Sequence, residues 1–166
     1  PAGKKRAFPE KVSLLVMDFD GVQTDDRVWV DADGREIVAA NRSDGLGLER
    51  LRKLTDIQVM VLSKETDKVV AARCRKLDIP LMQGVEDKSL LLAKILEQRN
   101  VPAGEVVYIG NDLNDLPCFQ MVGFAAVPSS ALIEMKRAAD LILSKAGGLG
   151  AVRELCDILI SRFSKA

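Results

Sequence analysis

The sequence predicts an α/β protein: a Rossmann-like open parallel sheet with helices on both faces and an inserted β-hairpin, without a large cap domain. Short apolar runs that end in polar residues alternate with longer segments of helical periodicity. The length of 166 residues fits one domain that can bury a core. A single segment with two β-rich arms interrupts the alternation, which fits a small insertion.

The apolar runs are predicted to be buried strands of one sheet. They cover residues 12–17, 57–62, 106–109, 123–127 and 141–143. The helices predicted between and after them cover residues 44–54, 66–77, 87–99, 112–121, 130–138 and 149–163. Because parallel strands need crossover connections, this alternation favours helices packed on both faces of the sheet.

Residues 27–40 carry β-rich arms around Asp33-Gly34 and are predicted to form the inserted hairpin, directly after the first strand. On a monomer, exposed strand edges and the exposed side chain of Trp29 would favour aggregation. We therefore expect the hairpin to pack against another subunit. The domain itself is predicted over residues 11–166, and residues 1–10, with their basic stretch and no Met at the start, are predicted to be a linker.

Composition excludes several classes of protein. Lys and Arg together number 24, as do Asp and Glu, so the net charge is zero, and aromatic residues make up only 4%. Both values argue against a nucleic-acid partner. The absence of His excludes Ser-His-Asp and Cys-His catalysis and His-ligated metal sites. With three unclustered cysteines, no bilayer-length apolar run and no secretory signal, we expect a cytoplasmic protein without a membrane partner.

Polar side chains follow three of the predicted strands. Asp18 and Asp20 follow the first strand, Ser63 follows the second, and Gly110-Asn111-Asp112 follows the third. Lys88 opens the helix that precedes the third strand. Ligands of open α/β sheets bind beyond the carboxyl ends of the strands, so these residues are predicted to form the site.

The residue types suit phosphoryl transfer. One carboxylate can attack while the other donates and accepts a proton, which supplies acid–base chemistry without His. Carboxylate and carbonyl oxygens favour Mg²⁺, and the Ser63 hydroxyl with the Lys88 ammonium would cradle a phosphoryl group. Taken singly, these residues have ordinary explanations: a turn for the Asp-x-Asp-Gly, a helix cap for Ser63 and a solvated side chain for Lys88. Their order at successive strand ends favours function.

These motifs resemble those of the haloacid dehalogenase superfamily of aspartyl phosphatases over nearly the whole chain, from Val12 to Phe163. Within that superfamily, the sequence is similar to a small capless branch. The branch contains 3-deoxy-octulosonate 8-phosphate phosphatases, 9-phosphate phosphatases of nonulosonic acids, and the C-terminal part of some acylneuraminate cytidylyltransferases. The hairpin and the stretches 41–45, 83–88 and 147–154 carry this closer resemblance.

The resemblance implies a role for each motif residue. Asp18 would be the nucleophile, Asp20 the acid and base, and Ser63 and Lys88 the ligands of the phosphoryl oxygens. Mg²⁺ would be held by Asp18, the backbone carbonyl of Asp20 and Asn111. Asp112 and Asp115 would lie directly behind these ligands.

The resemblance also implies a homotetramer. Its hairpins would associate and a neighbour's surface would cap the site. Arg153, in the glycine-rich tail, is expected to reach an active site, either its own or a neighbour's. The linker-like start would fit a domain excised from a cytidylyltransferase.

Two positions depart from the pattern of the family. Asn111 stands where the usual ligand is Asp, so one negative charge is missing from the predicted metal ligands. Asp112 could restore that charge. Asn is also what cytidylyltransferase-fused members carry there, which keeps open a weakly active or non-catalytic oligomerisation domain. A phosphoacceptor signalling domain is a third hypothesis, but its phosphorylated Asp would follow the third strand. Since Asp18 is present, we favour a working phosphatase.

The second departure concerns the substrate. Residues 63–65 read Ser-Lys-Glu where octulosonate-type members have Thr-Gly-Arg. Members acting on nine-carbon acids tend to have Glu at that place, followed by an Arg and a Lys that match Arg73 and Lys76. Helical spacing would let Glu65, Arg73 and Lys76 share one surface, although a solvated helix face explains the two cations as well. We therefore predict a KDN or N-acylneuraminate 9-phosphate as substrate, with 3-deoxy-octulosonate 8-phosphate as the alternative. The substrate-binding candidates are Thr24, Glu65, Arg73 and Lys76.

Overall fold

The computed structural model describes residues 5–165, and its centre is a six-stranded parallel sheet of order β5-β4-β1-β6-β7-β8. The sheet strands are β1 (Leu14–Met17), β4 (Gln58–Leu62), β5 (Leu81–Met82), β6 (Val106–Ile109), β7 (Phe124–Val127) and β8 (Leu141–Ile142). A separate antiparallel pair joins β2 (Trp29–Val30) to β3 (Glu36–Ile37). The predicted fold, with its inserted hairpin, is confirmed.

Six α-helices cover the sheet. They are α1 (Arg42–Leu54), α2 (Lys68–Leu77), α3 (Lys88–Gln98), α4 (Leu116–Met121), α5 (Ile133–Ala138) and α6 (Ala151–Phe163). Short 3-10 turns precede β6 at Ala103–Glu105 and α4 at Leu113–Asp115. In the described part of the chain, no helix is both long and apolar enough to cross a membrane.

Alternating side chains of β1 divide the core into two layers. Leu15 and Met17 pack beneath α1, α2 and α6, whereas Leu14 and Val16 pack beneath α3, α4 and α5. The strands at the centre of the sheet are buried on both faces. The three cysteines are free and buried in this core, as expected. Since both faces are covered, only the ends of the strands remain for a site.

Local chemistry explains where the elements differ from the prediction. The helix predicted from residue 66 begins at Lys68, because the Asp67 side chain accepts a hydrogen bond from Val69 N at 2.7 Å and caps the helix. The helix predicted over 112–121 is divided, because Asp112 and Asp115 form a capping box around a 3-10 turn before α4. Strand β5 was missed because Pro80 interrupts the apolar residues around it.

Residues 5–10, part of the predicted linker, contact the domain. Arg6 forms an ion pair with the buried Asp140 at 2.8 Å, and its guanidinium donates to the carbonyl of Phe119 at 3.0 Å. The ring of Phe8 stacks on Phe124 with centroids 3.8 Å apart. Residues 5–10 thus pack against the domain, because Arg6 satisfies carbonyl groups at the end of α4. Residues 1–4 of the predicted linker lie outside the described residues.

The hairpin projects from the domain with apolar side chains exposed. Trp29 is 70% exposed and Ile37, its partner across the two strands, is 61% exposed. Gly34 closes the turn at φ 77°, the left-handed region that glycine adopts without a steric penalty. Packing of this hairpin against a second subunit stays a prediction.

Candidate active site

The loop after β1 brings the two predicted catalytic carboxylates to one side of the sheet. Asp18 is buried and Asp20 is half-buried. Gly21 follows them with a φ of 75°. A side chain at position 21 would overlap the amide of Asn111. Glycine there lets the loop after β1 contact the loop after β6, which is the contact that closes the site.

Lys88 connects this loop to the rest of the site. It is fully buried at the start of α3, and its ammonium lies 2.9 Å from Asp18 Oδ1 and 2.8 Å from Asp115 Oδ1. Burial lowers the pKa of Lys88, but the two carboxylates outweigh burial and raise it above its ordinary value. Lys88 is therefore a fixed positive charge beside Asp18.

Asp115 holds Lys88 and the loop after β6 in place. Its Oδ1 also accepts a hydrogen bond from the hydroxyl of Tyr108 at 2.8 Å, and its Oδ2 accepts one from Asn111 N at 3.0 Å. The side chain has no exposure to solvent. Asp115 therefore lies behind the cavity and orients residues that line it.

A small cavity of about 150 Å³ opens over these groups. Of the predicted site residues, it is lined by Asp18, Asp20, Ser63, Glu65, Asn111 and Asp112. The sequence analysis missed the other residues that line it, namely Asp26, Lys64 and Asn114. All three are neighbours of motif residues, so proximity in sequence was the one signal that could have indicated them.

Burial and repulsion between negative charges raise the pKa values of both predicted catalytic carboxyls. Burial raises the pKa of Asp18, with a further contribution from Asp115, and Lys88 opposes both. Burial also raises the pKa of Asp20 to about 6, and Glu65, Asp26 and Glu36 add to the rise. A carboxyl that titrates near neutral pH can both donate and accept a proton during catalysis.

The donor set fits Mg²⁺. Within residues 5–165, no three Asp, Glu or Cys side chains converge as a metal cluster. However, Asn111 Oδ1 is buried without a hydrogen-bond partner, and Asn111 lines the same cavity as Asp18. An unpartnered buried oxygen is costly unless a donor or a cation satisfies it. Asn111 and Asp18 would thus supply oxygen ligands, the type that Mg²⁺ prefers.

Three predicted substrate contacts lie elsewhere. Thr24 is fully buried, and its hydroxyl accepts hydrogen bonds from Gly21 N and Asp26 N, so it stabilises the loop and does not face the cavity. Arg73 and Lys76 line a different cavity, between α1 and α2, of about 500 Å³. The predicted surface shared with Glu65 is wrong, because Glu65 lines the cavity around Asp18 and neither Arg73 nor Lys76 does.

Arg153 does not line the cavity around Asp18 either. Its Nε donates to Asp157 at 2.7 Å, and its backbone N donates to Asp44 at 2.8 Å. The glycine-rich tail before it does reach the site of its own chain. Gly148 N donates to Val22 O at 3.1 Å, so the tail supports the loop after β1 from behind.

Known proteins share both the sequence and the fold. No model of a protein family matches the chain. The 3-deoxy-D-manno-octulosonate 8-phosphate phosphatase KdsC of Escherichia coli K12 is 36% identical over 155 residues, which cover 93% of this chain and 82% of that protein.

Solved structures agree. The cobalt-bound deoxy-D-mannose-octulosonate 8-phosphate phosphatase of Haemophilus influenzae superposes with a TM-score of 0.87 at 35% identity, covering 92% of this chain and 90% of that one. The phosphatase of Moraxella catarrhalis, in complex with magnesium, phosphate and KDO, has a TM-score of 0.87 at 29% identity, covering 92% of this chain and 87% of that one. The chain therefore belongs to the haloacid dehalogenase superfamily and is a phosphatase of the capless branch that contains the 3-deoxy-octulosonate 8-phosphate phosphatases.

Proposed function

We propose that this phosphatase hydrolyses the phosphomonoester of a sugar acid with Mg²⁺, through an aspartyl-phosphate on Asp18. One observation supports this most directly: Asp18 is held 2.9 Å from the buried Lys88 and lines the same cavity as Asn111, whose side-chain oxygen has no hydrogen-bond partner. That arrangement supplies a nucleophile, a charge for the phosphoryl oxygens and a metal ligand at one point.

The first step forms the aspartyl-phosphate. Asp18 Oδ1 faces Lys88 Nζ and accepts a hydrogen bond from Phe19 N, so Oδ2 is the oxygen left to attack phosphorus. As the Oδ2–phosphorus bond forms, the bond from phosphorus to the alcohol oxygen breaks, and Asp20 donates its proton to that oxygen. Lys88 and Ser63 bind phosphoryl oxygens, and Mg²⁺ on Asp18, Asn111 and the Asp20 carbonyl would neutralise their charge.

The second step releases phosphate. Asp20, now ionised, takes a proton from a water molecule, whose oxygen attacks phosphorus. The bond between phosphorus and Asp18 Oδ2 breaks, which restores the carboxylate of Asp18 and the proton on Asp20. The raised pKa of Asp20, about 6, suits both halves of this cycle.

Two substrates are supported by different observations. The names of the relatives favour 3-deoxy-octulosonate 8-phosphate, the alternative in the sequence analysis. Glu65 lines the active-site cavity, and the resemblance implies Glu at that place in members that act on nine-carbon acids, which favours a nonulosonic acid 9-phosphate. The relatives span most of this chain, so we place the 8-phosphate first and the 9-phosphate second.

A second copy of the chain would supply the cations for the sugar carboxylate. Arg73 and Lys76 line a cavity with Arg42 and Arg52, away from the Asp18 cavity of their own chain. The rim of the Asp18 cavity is acidic, at Asp26, Glu65 and Asp112 among others. Opposite charges on two faces favour contact between copies, which would bring Arg73 and Lys76 to a neighbour's site in the proposed homotetramer.

The decisive experiment measures phosphate release from both sugar-acid phosphates, with Mg²⁺ and with EDTA. We expect metal-dependent turnover that falls at least about a thousandfold in Asp18→Asn, because the nucleophile is removed. Circular dichroism of Asp18→Asn controls for folding. The ratio of the two substrates' kcat/KM decides between them. Turnover that survives in Asp18→Asn would exclude Asp18 as the nucleophile, and no turnover in the wild type would favour the oligomerisation domain of a cytidylyltransferase.

A further inference from the structure

A second cavity opens beside the catalytic carboxylates, between the base of the hairpin and α2. Its volume is about 250 Å³, and it shares Asp20, Asp26 and Glu65 with the cavity around Asp18. In the proposed mechanism Asp20 protonates the leaving alcohol, so the alcohol part of the substrate must lie beside Asp20. The second cavity, which we call the leaving-group cavity, is placed to receive the atoms directly beyond the phosphoester oxygen.

The leaving-group cavity has an apolar floor. Phe19 and Val70 are buried in it, with exposures of 0% and 2%, and Val69 of α2 is half-buried beside them. Val28, at the base of the hairpin, forms the facing wall. Apolar walls of this kind pack against the C–H faces of a carbon chain.

The rim of the cavity is acidic. Five carboxylates from the hairpin, the loop after β1 and the start of α2 surround it, namely Asp20, Asp26, Glu36, Glu65 and Asp67. Among the described residues that line the cavity, none is Lys or Arg. A ligand in this cavity therefore faces hydrogen-bond acceptors and negative charge, with no cation to pair with a carboxylate of its own.

We propose that the leaving-group cavity selects the alcohol part of the substrate by charge: it accepts a neutral hydroxylated chain and rejects a chain that carries a carboxylate near the phosphoester. The inference rests on the proposed function. Hydroxyl groups donate to the rim carboxylates, whereas a carboxylate would meet the negative charges of Asp26, Glu36, Glu65 and Asp67, with no cation among the lining residues of this chain to pair with. In an octulosonate 8-phosphate the carboxylate stands at the opposite end of the carbon chain from the phosphate, so it lies beyond this cavity.

Glycerol 3-phosphate and 3-phosphoglycerate form a matched pair for the test. They differ only at the end of the chain away from the phosphate, where the first has a CH2OH group and the second a carboxylate. With the full chain and Mg²⁺, we expect kcat/KM to be roughly tenfold or more higher for glycerol 3-phosphate. Asp67→Asn and Glu36→Gln should each reduce that ratio about threefold, and the double variant should reduce it further. Asn at position 67 still caps α2, because it accepts from Val69 N as Asp67 does at 2.7 Å.

Glu97→Gln is the control. It removes the same charge from the last turn of α3, an exposed position at the end of that helix remote from Lys88, and the ratio should not change. A ratio that is equal in the wild type and the double variant, with turnover intact, would overturn the charge selection and leave the proposed function standing.

A binding measurement separates the two proposals further. If the wild type turns over no phosphate ester, the proposed function fails, but calorimetry with both esters still tests the cavity. Tighter binding of glycerol 3-phosphate, lost in the double variant, would support charge selection. Equal affinities of the two esters in both proteins would refute it.

Discussion

Asn111 stands where the resemblance to the family implies an Asp, and the structure gives that position a physical meaning. Its side-chain oxygen is buried and unpartnered, while its amide contacts the backbone at Gly21. A neutral ligand of this kind leaves the charge of Mg²⁺ less neutralised than a carboxylate would.

We therefore expect Asn111→Asp to tighten Mg²⁺ binding, by roughly tenfold, because it adds a charge to the donor set. Isothermal titration calorimetry with Mg²⁺ measures the change. Asn114→Asp adds the same charge at an exposed position in the same cavity and serves as the matched control. If both variants gained equally, general electrostatic attraction rather than ligation would explain the effect.

Asp44 gives a second prediction at the scale of the residue. It is buried with Oδ2 unpartnered, and burial raises its pKa, although Arg153 N, Arg73 and the Arg153 charge oppose the rise. The pKa of Asp44 is thus higher in the folded protein than in the unfolded chain, where it is about 4. Below about pH 4 the protonated side chain makes its full contribution to stability. That contribution is lost as the pH rises through the folded-state pKa.

Asp44→Asn should remove this loss, so the stability of the variant relative to the wild type should increase between about pH 4 and pH 7. Asn can keep the hydrogen bond from Arg153 N, which is 2.8 Å in the wild type. Urea unfolding at several pH values measures the difference. Asp56→Asn removes a charge from a side chain that is 87% exposed and is the control. A relative stability that does not vary with pH would show that Asp44 is ionised equally in both states.

At the scale of the elements, the packing of α1 on α6 holds the site from behind. Gly47 of α1 lies against Arg153 of α6, where a Cβ would be 3.1 Å from the Arg153 Cα and 2.9 Å from its Cδ. Such a contact with backbone can be relieved only if the helices separate. The same end of α6 follows the tail that supports the loop carrying Asp18 and Asp20.

Gly47→Ala should therefore destabilise the protein by about 1–2 kcal/mol, since overpacking exceeds the gain in helix propensity. Chemical unfolding measures the change. Gly104→Ala is the control, because nothing lies within 4 Å of a Cβ there, and its free energy of unfolding should be unchanged or slightly higher. Equal stability of the two variants would mean that α1 and α6 adjust without cost.

At the scale of the whole molecule, the N-terminal segment closes the edge of the domain near β7 and β8. Arg6 pairs with Asp140, whose side chain is 4% exposed and also accepts from Ala125 N at 2.8 Å. Arg6 further donates to the end of α4, the helix whose opposite end follows Asp115. This segment therefore connects the edge of the sheet to the helix behind the active site.

Arg6→Ala should lower the free energy of unfolding by about 1–3 kcal/mol, because it removes the cation paired with a buried carboxylate and the side-chain donor to carbonyls at the end of α4. At this chain length that corresponds to a decrease of roughly 2–4 °C in Tm for each kcal/mol. Lys11→Ala, which removes an ion pair to Glu105 from a side chain that is 72% exposed, should change stability by less than about 0.5 kcal/mol. If the two variants were equally stable, residues 5–10 would contribute as little as a linker.

The sequence by itself determined the fold class, the places where the sheet strands end and the order of the motif residues. These depend on local information: apolar runs specify buried strands, and polar residues at their carboxyl ends indicate where a ligand binds. Asp18, Ser63 and Asn111 could be assigned to one end of the sheet because parallel strands all point the same way. The start of α2 lies two residues later than predicted, and Glu65 lies in the loop before it.

Only the tertiary structure decided which loops contact one another. Periodicity shows which face of an element is buried but not what lies across from it, so burial of Thr24 inside its own loop and the separation of Arg73 from Glu65 could not be predicted. The contact of Gly21 with Asn111, the position of Asp115 behind Lys88 and the docking of Arg6 on Asp140 join residues far apart in sequence. Such contacts arise when the packed sheet fixes the distances between its loops, and that packing is a property of the whole chain.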